Sequence, residues 1–256
     1  MERSLDAGQD ISPPTAAPRV RRVDLARPWV WLQRGAQDLR RAARPSLGFG
    51  TLIAAAGLLL MGAGWKAAYM APALLGGFLL VAPFAAIVFY ALSRQLEQGQ
   101  APDAGAALRS WRGNAGSIAL FGLMLALAYI AWERIAAIVF ALFLEGQTPG
   151  PTQWPIELLL AFGVAGALVA VLVFALGVVS APLLLDRPVD AITAMLTSWR
   201  CCRLNAGPLL LWAGLLAGLT LLGFASLMLG LLFIFPWLAH ASWHAYRDLV
   251  EPDEGG

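Results

Sequence analysis

The stretch that decides the fold is GLLFIFPWLAHASWHAYRDLVE, residues 230–251, because residues 77–97, GFLLVAPFAAIVFYALSRQLE, have the same layout. Each stretch begins with a glycine, carries an internal proline and reaches an arginine near its end. The matched pairs are Gly77 with Gly230, Pro83 with Pro236, Ala86 with Ala239, Tyr90 with Trp243, Arg94 with Arg247 and Leu96 with Leu249. Both stretches are apolar over the ~20 residues that a helix needs to cross a bilayer. The repeated unit is therefore a transmembrane helix with an internal proline and a basic end.

The composition places the rest of the chain in a membrane as well. The sequence is 59% hydrophobic and 13% charged, whereas soluble domains are about 25% charged. Runs without Asp, Glu, Lys or Arg cover 45–65, 67–93, 113–132, 158–185 and 204–246. The last run is too long for one span and must fold back, around 223–230. The sequence thus predicts an all-α polytopic membrane protein with six transmembrane helices.

A short amphipathic helix is predicted before each pair of spans. The first begins at about residue 28, and the other two follow Asp103 and Asp190. Both later segments end in Ser-Trp-Arg, and an Asn-Ala-Gly that would turn the chain into the bilayer comes shortly after each. Tryptophan and arginine are typical of helices that lie in the headgroup region. We expect interfacial anchors at Trp29, Trp31, Trp111, Arg112, Trp199 and Arg200.

The chain therefore divides into two tails and one membrane domain. Residues 1–24 are rich in proline, small and charged residues and are predicted to be a disordered cytoplasmic tail. Residues 25–250 form a single domain, and 251–256 form a second cytoplasmic tail. Within the domain, three hairpin repeats cover about 28–97, 102–186 and 189–250, and all enter from the same side. Helix kinks are predicted at Pro83, Pro182 and Pro236.

Residues 113–144 have two interpretations. A single tilted helix would be roughly 48 Å long and would carry Glu133 and Arg134. A charge at the bilayer centre costs about 2.5–3.5 kcal/mol. Ending the span near Trp132 brings both charges to the outer interface and leaves 135–144 as a second interfacial helix. The shorter span is the favoured interpretation.

The positions of the basic residues predict the orientation. Arginines are concentrated before Pro45 and in the connections between the second and third spans and between the fourth and fifth. Connections rich in arginine stay in the cytoplasm. We therefore expect a bacterial inner-membrane protein with both termini in the cytoplasm. An even number of spans agrees with this, because it puts the two termini on the same side.

His240 and His244 are the sharpest candidates for a functional site. They are one turn apart on the last span and share a face, a spacing that helical metal sites use. Asp248 continues that face. Haem ligation by both is geometrically poor, because two axial ligands must approach from opposite sides. The favoured alternative is that both histidines hydrogen-bond to neighbouring helices or headgroups near the inner interface.

No enzymatic motif is present in the sequence, which lacks a phosphate loop, a nucleophile elbow, HExxH and CxxC. We predict a protein that is not an enzyme, has no cofactor other than a possible metal or haem at the histidines, and does not bind nucleic acid. Its expected partners are the lipid bilayer and other membrane proteins. The expected role is scaffolding or assembly of membrane proteins. The alternatives are a small-solute or ion transporter that uses the proline-containing helices, and a metal-binding membrane protein.

Six motifs together resemble a known family over about residues 25–250. They are Trp31-Leu32-x-x-Gly35-x-x-Asp38-Leu39, Ser46-Leu47-Gly48-x-Gly50, Gly77-Phe78-x-Leu80-x-x-Pro83, Ser93-Arg94-x-Leu96-Glu97-x-Gly99, Ser180-x-Pro182-Leu-Leu-Leu-Asp186-Arg187 and Pro236-x-Leu238-x-His240-Ala-x-Trp243-His244-Ala-Tyr246-Arg247. The pattern resembles domain of unknown function 2189, a bacterial integral-membrane family. The resemblance implies a multi-span inner-membrane protein, and it supplies no catalytic or binding residues.

Overall fold

The computed structural model describes residues 18–66, 71–144 and 154–252, with the side chains of 63–81 and 144 excepted. The described residues are almost entirely helical, and no strand is present among them beyond one isolated bridge. The helices are α1 (Arg27–Arg41), α2 (Ala43–Lys66), α3 (Ala71–Glu97), α4 (Ala104–Arg109), α5 (Ala115–Leu144), α6 (Ile156–Gly177), α7 (Ser180–Asp186), α8 (Ala191–Leu204), α9 (Ala206–Ala225) and α10 (Leu231–Leu249), with a 3₁₀ turn at Ser110–Asn114.

Four segments are long and apolar enough to cross a membrane. They are Ala43–Gly62, Ala104–Phe143, Ile156–Asp186 and Ala206–Ala225. No more than 22% of the most apolar window of each is buried inside the protein, so these segments turn most of their apolar side chains outward. An exposed apolar surface of this extent fits a lipid environment and not water. The all-α and membrane-spanning parts of the prediction are therefore confirmed.

The helix α10 lies at the centre of the fold. It packs against α1, α2, α3 and α9, and most of the residues from Pro236 to Tyr246 are buried. Its second half carries His240, His244 and Arg247, which explains why it is absent from the four apolar segments. Polar side chains in such a helix need partners from its neighbours.

Small residues let α1 and α2 approach α10 closely. A Cβ atom added to Gly35 would lie 2.6 Å from the backbone nitrogen of Ala241. A Cβ atom added to Gly50 would collide with the carbonyl oxygen of Leu232. Glycine at both positions therefore allows backbone-to-backbone contact, as in many membrane helix pairs.

The favoured interpretation of residues 113–144 is wrong, because α5 runs without a break from Ala115 to Leu144. Aromatic contacts explain why the last turns remain part of the helix. The ring of Phe140 lies 5.2 Å from that of Trp154 and 5.4 Å from that of Phe162. The end of α5 is therefore held against the start of α6 and does not lie apart from it as an interfacial helix.

The predicted kink at Pro182 also requires correction. Pro83 and Pro236 lie inside α3 and α10, but Pro182 lies in the first turn of α7, where a missing N–H removes no helical hydrogen bond. The break comes earlier, between α6 and α7. There the Ser198 hydroxyl donates to the carbonyl oxygen of Ala175 at 2.8 Å and ties the end of α6 to α8.

The two ends of the described chain lie side by side. Val20 and Val250 form an antiparallel bridge, and the amide of Arg21 donates to the carbonyl oxygen of Leu249 at 2.8 Å. The prediction of disorder is therefore wrong for residues 19–21, because backbone hydrogen bonds tie Arg19 and Arg21 to the end of α10 and the residues after it. Residues 1–17 and 253–256 lie outside the described part of the chain.

Both Asn-Ala-Gly motifs lie where a short helix gives way to a long one. The Asn205 side chain accepts from the Val23 amide at 2.8 Å and donates to the Arg21 carbonyl oxygen at 2.9 Å. The Asn114 side chain donates to the carbonyl oxygens of Leu184 and Val189 at 3.1 and 2.9 Å. Each asparagine thus joins the start of a long helix to a distant segment.

Candidate functional site

Five polar side chains from four helices form one hydrogen-bonded chain, which we call the histidine chain. Its members are Asp38 of α1, Ser46 of α2, Ser93 of α3, and His240 and His244 of α10. The Nε2 atom of His240 lies 2.9 Å from the Ser46 Oγ, and its Nδ1 atom lies 2.8 Å from the Ser93 Oγ. The Ser93 Oγ lies 2.7 Å from Asp38 Oδ2, which lies 2.8 Å from His244 Nε2.

The directions of these hydrogen bonds follow from the ionised Asp38. A carboxylate can only accept, so the hydroxyl of Ser93 donates its one hydrogen to Asp38. Ser93 must then accept from Nδ1 of His240, and the Nε2 atom of a neutral His240 accepts from the Ser46 hydroxyl. Each polar atom in the buried part of the chain has a partner, as buried polar groups require.

The inner part of the histidine chain is enclosed by packed side chains. His240 and Ser46 are both 0% exposed. The ring of Phe89 stands edge-on to the imidazole of His240 with the ring centroids 5.6 Å apart, and Phe89 is itself 0% exposed. Only His244 at the outer end is partly accessible, with a side-chain exposure of 19%. The chain is therefore closed around His240 and opens toward the surface at His244.

Asp38 is the charged group that organises the chain. Burial raises the pKa of its carboxyl group, but the hydrogen bonds from His244 and Ser93 outweigh burial and hold the pKa below the ordinary value of 3.8. Asp38 is therefore ionised at neutral pH. Because its oxygen Oδ2 receives both hydrogen bonds, it couples α1 to α3 and to α10 at one point.

A second carboxylate, Asp248, ties the start of α1 to the end of α10. The guanidinium of Arg27 donates from Nε to Asp248 Oδ2 at 2.6 Å, and the indole of Trp31 donates to the same oxygen at 2.8 Å. Arg34 lies 3.5 Å from the other carboxylate oxygen. Asp248 and its three donors are therefore a second joint between the same two helices.

Asp186 and Glu97 form the third set of contacts at this end of the bundle. Tyr246 donates to Asp186 at 2.7 Å, and Arg94 lies 3.4 Å from the same carboxylate. The side chain of Arg247 bonds to Glu97 at 2.9 Å. We call the region where these groups, Asp248 and the histidine chain lie the polar end. It is built from the ends of α3, α7 and α10 together with α1.

Five of the six predicted interfacial anchors are exposed. Trp29, Trp111 and Trp199 are 56%, 45% and 41% exposed, and Arg112 and Arg200 are exposed as well. Trp31 is the exception, because it is 0% exposed and its N–H is bonded to Asp248. Trp31 is therefore a packing residue between α1 and α10, and its prediction as a headgroup anchor is corrected.

The two histidines share a face of α10, as the spacing requires, but they have different partners. Both ring nitrogens of His240 are occupied by serines, while His244 faces Asp38. Asp248, the next residue on this face, is engaged by Arg27. In the described ranges, no group of three or more His, Cys, Asp or Glu side chains is arranged to hold a metal ion.

Sequence reasoning found the two histidines but did not connect them with Asp38, Ser46 and Ser93. All five residues belong to the motifs that carry the family resemblance. The motifs that supply the five residues are far apart in the sequence, and the structure brings their polar members into one chain. One feature of the sequence could have identified Ser46 and Ser93, because each is a polar residue at the edge of an apolar run.

The comparisons with known proteins identify a family for the middle of the chain. The family described as predicted integral membrane protein (DUF2189) matches residues 70–186. This range contains Ser93 and Asp186, whereas Asp38, Ser46 and both histidines lie outside it. No curated protein and no solved structure matches the chain at a significant level. Over residues 70–186, the chain is similar to the DUF2189 family of predicted integral membrane proteins.

Proposed function

We propose that the protein is a non-enzymatic component of a bacterial inner membrane that scaffolds or assembles other membrane proteins. The proposed contact surface is the outer face of α1 at the polar end. The observation that carries the proposal is the contrast between a closed interior and this open, polar face.

The interior around Pro236, the proline of α10, is closed. Pro236 is buried beside Gly50, and the polar side chains nearby are satisfied within the histidine chain. A cleft of about 170 Å³ lies elsewhere, at the polar end, between Arg94, Gln98, Ser110 and their neighbours. A transporter would be expected to bring a polar cavity to its broken helices, so this packing favours a structural role.

The outer face of α1 is polar and open. Gln33, Gln37, Arg40 and Arg41 are exposed, and neither arginine has a hydrogen-bond or ion-pair partner among the described side chains. Asp38 of α1 itself, and Asp248, which binds Arg27 of α1, are committed to contacts inside the protein. The face therefore carries unneutralised positive charge, which suits an acidic surface on a partner protein.

The proposal includes six spans in three hairpins, with α3 and α10 added to the four apolar segments, and both termini in the cytoplasm. Single-cysteine labelling tests this topology after Cys201 and Cys202 have been replaced by alanine. We expect a cysteine at position 147 to react with a membrane-impermeant reagent from the periplasm. A cysteine at position 105 is expected to react only after the membrane is opened. The reverse pattern would overturn the orientation.

Site-specific photo-crosslinking in native membranes tests the scaffold role. A photoreactive residue at position 33 or 37 is expected to capture one defined membrane protein, and the same residue at position 172, on the exposed side of α6, is expected to capture none. Charge reversal by Arg40→Glu with Arg41→Glu should abolish the capture, while Arg134→Glu on α5 should leave it intact. Capture that is indifferent to the α1 charges would contradict the proposal.

Ion transport is a second candidate function, favoured by the histidine chain itself. A continuous line of hydrogen bonds through Ser46, His240 and Ser93 to an ionised Asp38 is an arrangement that could relay protons. Proteoliposomes with an internal pH dye and an imposed potassium diffusion potential distinguish the two functions. Proton influx that is lost in His240→Ala would favour transport, and no influx in either protein would favour the scaffold.

A further inference from the structure

We propose that the outward face of α8 is a binding site for an anionic phospholipid, with the headgroup phosphate held by Arg200 and Arg203 and an acyl chain lying along Ile192 and Leu196. This inference goes beyond the proposed scaffold role and does not depend on it, because it concerns a different helix and a different kind of partner.

The two faces of α8 differ in what they contact. The inner face consists of Ala191, Ala194, Thr197, Ser198 and Cys201, all of which are buried. Ser198 hydrogen-bonds to Ala175 of α6, and α8 also packs against α5, α7 and α9. The helix is therefore fixed rigidly to the ends of two apolar segments, Ile156–Asp186 and Ala206–Ala225.

The outward face of α8 is apolar along most of its length. Ile192, Leu196 and Trp199 are 55%, 51% and 41% exposed, and they follow one another at the spacing of a single helix face. Three large apolar side chains in a row are unfavourable in water. At the end of two membrane spans, the same row lies at the depth where acyl chains meet headgroups, and Trp199 is the residue type preferred there.

The polar terminus of this face supplies the charge. Arg200 and Arg203 are exposed near the end of α8, and neither has a hydrogen-bond or ion-pair partner among the side chains that the structure describes. Other arginines at the polar end, such as Arg27, Arg94 and Arg247, are paired with carboxylates. Two unpaired guanidinium groups beside an apolar strip complement a lipid with a net negative headgroup, because arginine binds phosphate through several N–H groups.

The outward face of α1 lacks this combination. Its exposed residues after Trp29 are Gln33, Gln37, Arg40 and Arg41, so its positive charge has no apolar strip beside it. The difference makes α1 the matched control for α8: the same number of unpaired arginines is available at the same end of the protein, without a surface for an acyl chain.

Native mass spectrometry of the purified full-length protein in detergent tests the site, with phosphatidylglycerol and phosphatidylcholine as probes. We expect the protein to retain phosphatidylglycerol in preference to phosphatidylcholine. Arg200→Gln with Arg203→Gln should weaken phosphatidylglycerol binding by about tenfold or more, and Leu196→Gln should weaken it as well. Arg40→Gln with Arg41→Gln should have little effect. Thermal unfolding of each variant verifies that the fold is intact.

Three results would overturn the proposal. Equal losses from the α1 and α8 double variants would show that net charge, and not a site, governs binding. Displacement of the lipid by inorganic phosphate alone would show that the arginines bind a free anion. Dimers that form through α8 and exclude lipid would show that the face is covered by a second copy of the chain. A failure to find a partner protein on α1 would leave the lipid site unaffected.

Discussion

The Nδ1 atom of His240 lies 2.8 Å from the Oγ of Ser93, and this contact joins the last helix of the chain to the third. The Ser93 hydroxyl donates in turn to Asp38 of α1. The Ser46 hydroxyl of α2 is hydrogen-bonded to Nε2, on the other side of the same imidazole. One buried ring thus links all the helices of the first predicted repeat to the last helix of the third.

Replacing His240 by alanine should destabilise the protein strongly. The change leaves the buried Ser46 hydroxyl without its partner, removes the hydrogen bond that Ser93 accepts from His240 and opens a cavity beside Phe89. Each unsatisfied buried group costs about 1–3 kcal/mol, and the lost packing adds to that cost. We expect a loss of at least about 2 kcal/mol in the free energy of unfolding, measured by chemical denaturation in micelles. His244→Ala, at the partly exposed end, should cost clearly less, and equal losses would contradict the description of the chain.

Gly50 and Gly48 offer a matched pair of substitutions. A methyl group at Gly50 would collide with the carbonyl oxygen of Leu232, which is backbone and cannot move without α10, whereas nothing lies within 4 Å of a methyl group at Gly48. Gly50→Ala should therefore lower the midpoint of thermal unfolding, and Gly48→Ala should leave it unchanged or raise it slightly, since alanine favours the helix. If both variants unfold at the same temperature, α2 and α10 are not in contact at Gly50.

Asp38 should make the attachment of α1 sensitive to acid. Its pKa in the folded protein is held below 3.8, so its contribution to stability is fully present at neutral pH and is lost as the pH falls through that lowered value. Asp38→Asn should destabilise the protein at pH 7, and the difference from the unchanged protein should shrink at about pH 3. Denaturation of both proteins at the two pH values measures this, and a constant difference would assign the loss to packing alone.

The two cysteines should be nearly inert as thiols. Burial raises the pKa of Cys201 to about 12 and that of Cys202 to about 11, so very little thiolate is present at neutral pH. We expect slow alkylation of Cys202 and none of Cys201 by N-ethylmaleimide in the folded protein, followed by intact-mass spectrometry. Both should react rapidly after unfolding. Rapid double labelling of the folded protein would show that α8 is not packed on α6 as described.

The sequence predicts helices and apolar segments well, because membrane spans are recorded in local composition. It does not predict that α5 continues unbroken to Leu144. The contact of Phe140 with Trp154 and Phe162 forms only when α6 folds back against α5, and the local charges do not reveal it. Trp31 and Trp29 show the same limit. Both are tryptophans of one amphipathic helix, and only the position of Asp248, more than two hundred residues later, decides which of them is buried.

The histidine chain could be predicted only in part for a similar reason. The spacing of His240 and His244 gives their shared face directly. Their partners come from three other helices, and nothing in the local pattern around Asp38 or Ser46 points to a residue at the far end of the chain. The break at Pro182 was misplaced because a proline is compatible both with a kink and with a helix start, and the hydrogen bonds of Ser198 decide between them.

The central position of α10 sets an order for folding. This helix follows α1, α2 and α3 in the sequence, yet all three pack against it, and the segment around Val20 pairs with Val250. The faces of α1, α2 and α3 that α10 covers therefore have no final partner until α10 itself is in place. Packing of the first helices is completed by a segment more than two hundred residues later, so a chain cut before α10 would expose the buried faces of α1 and α2.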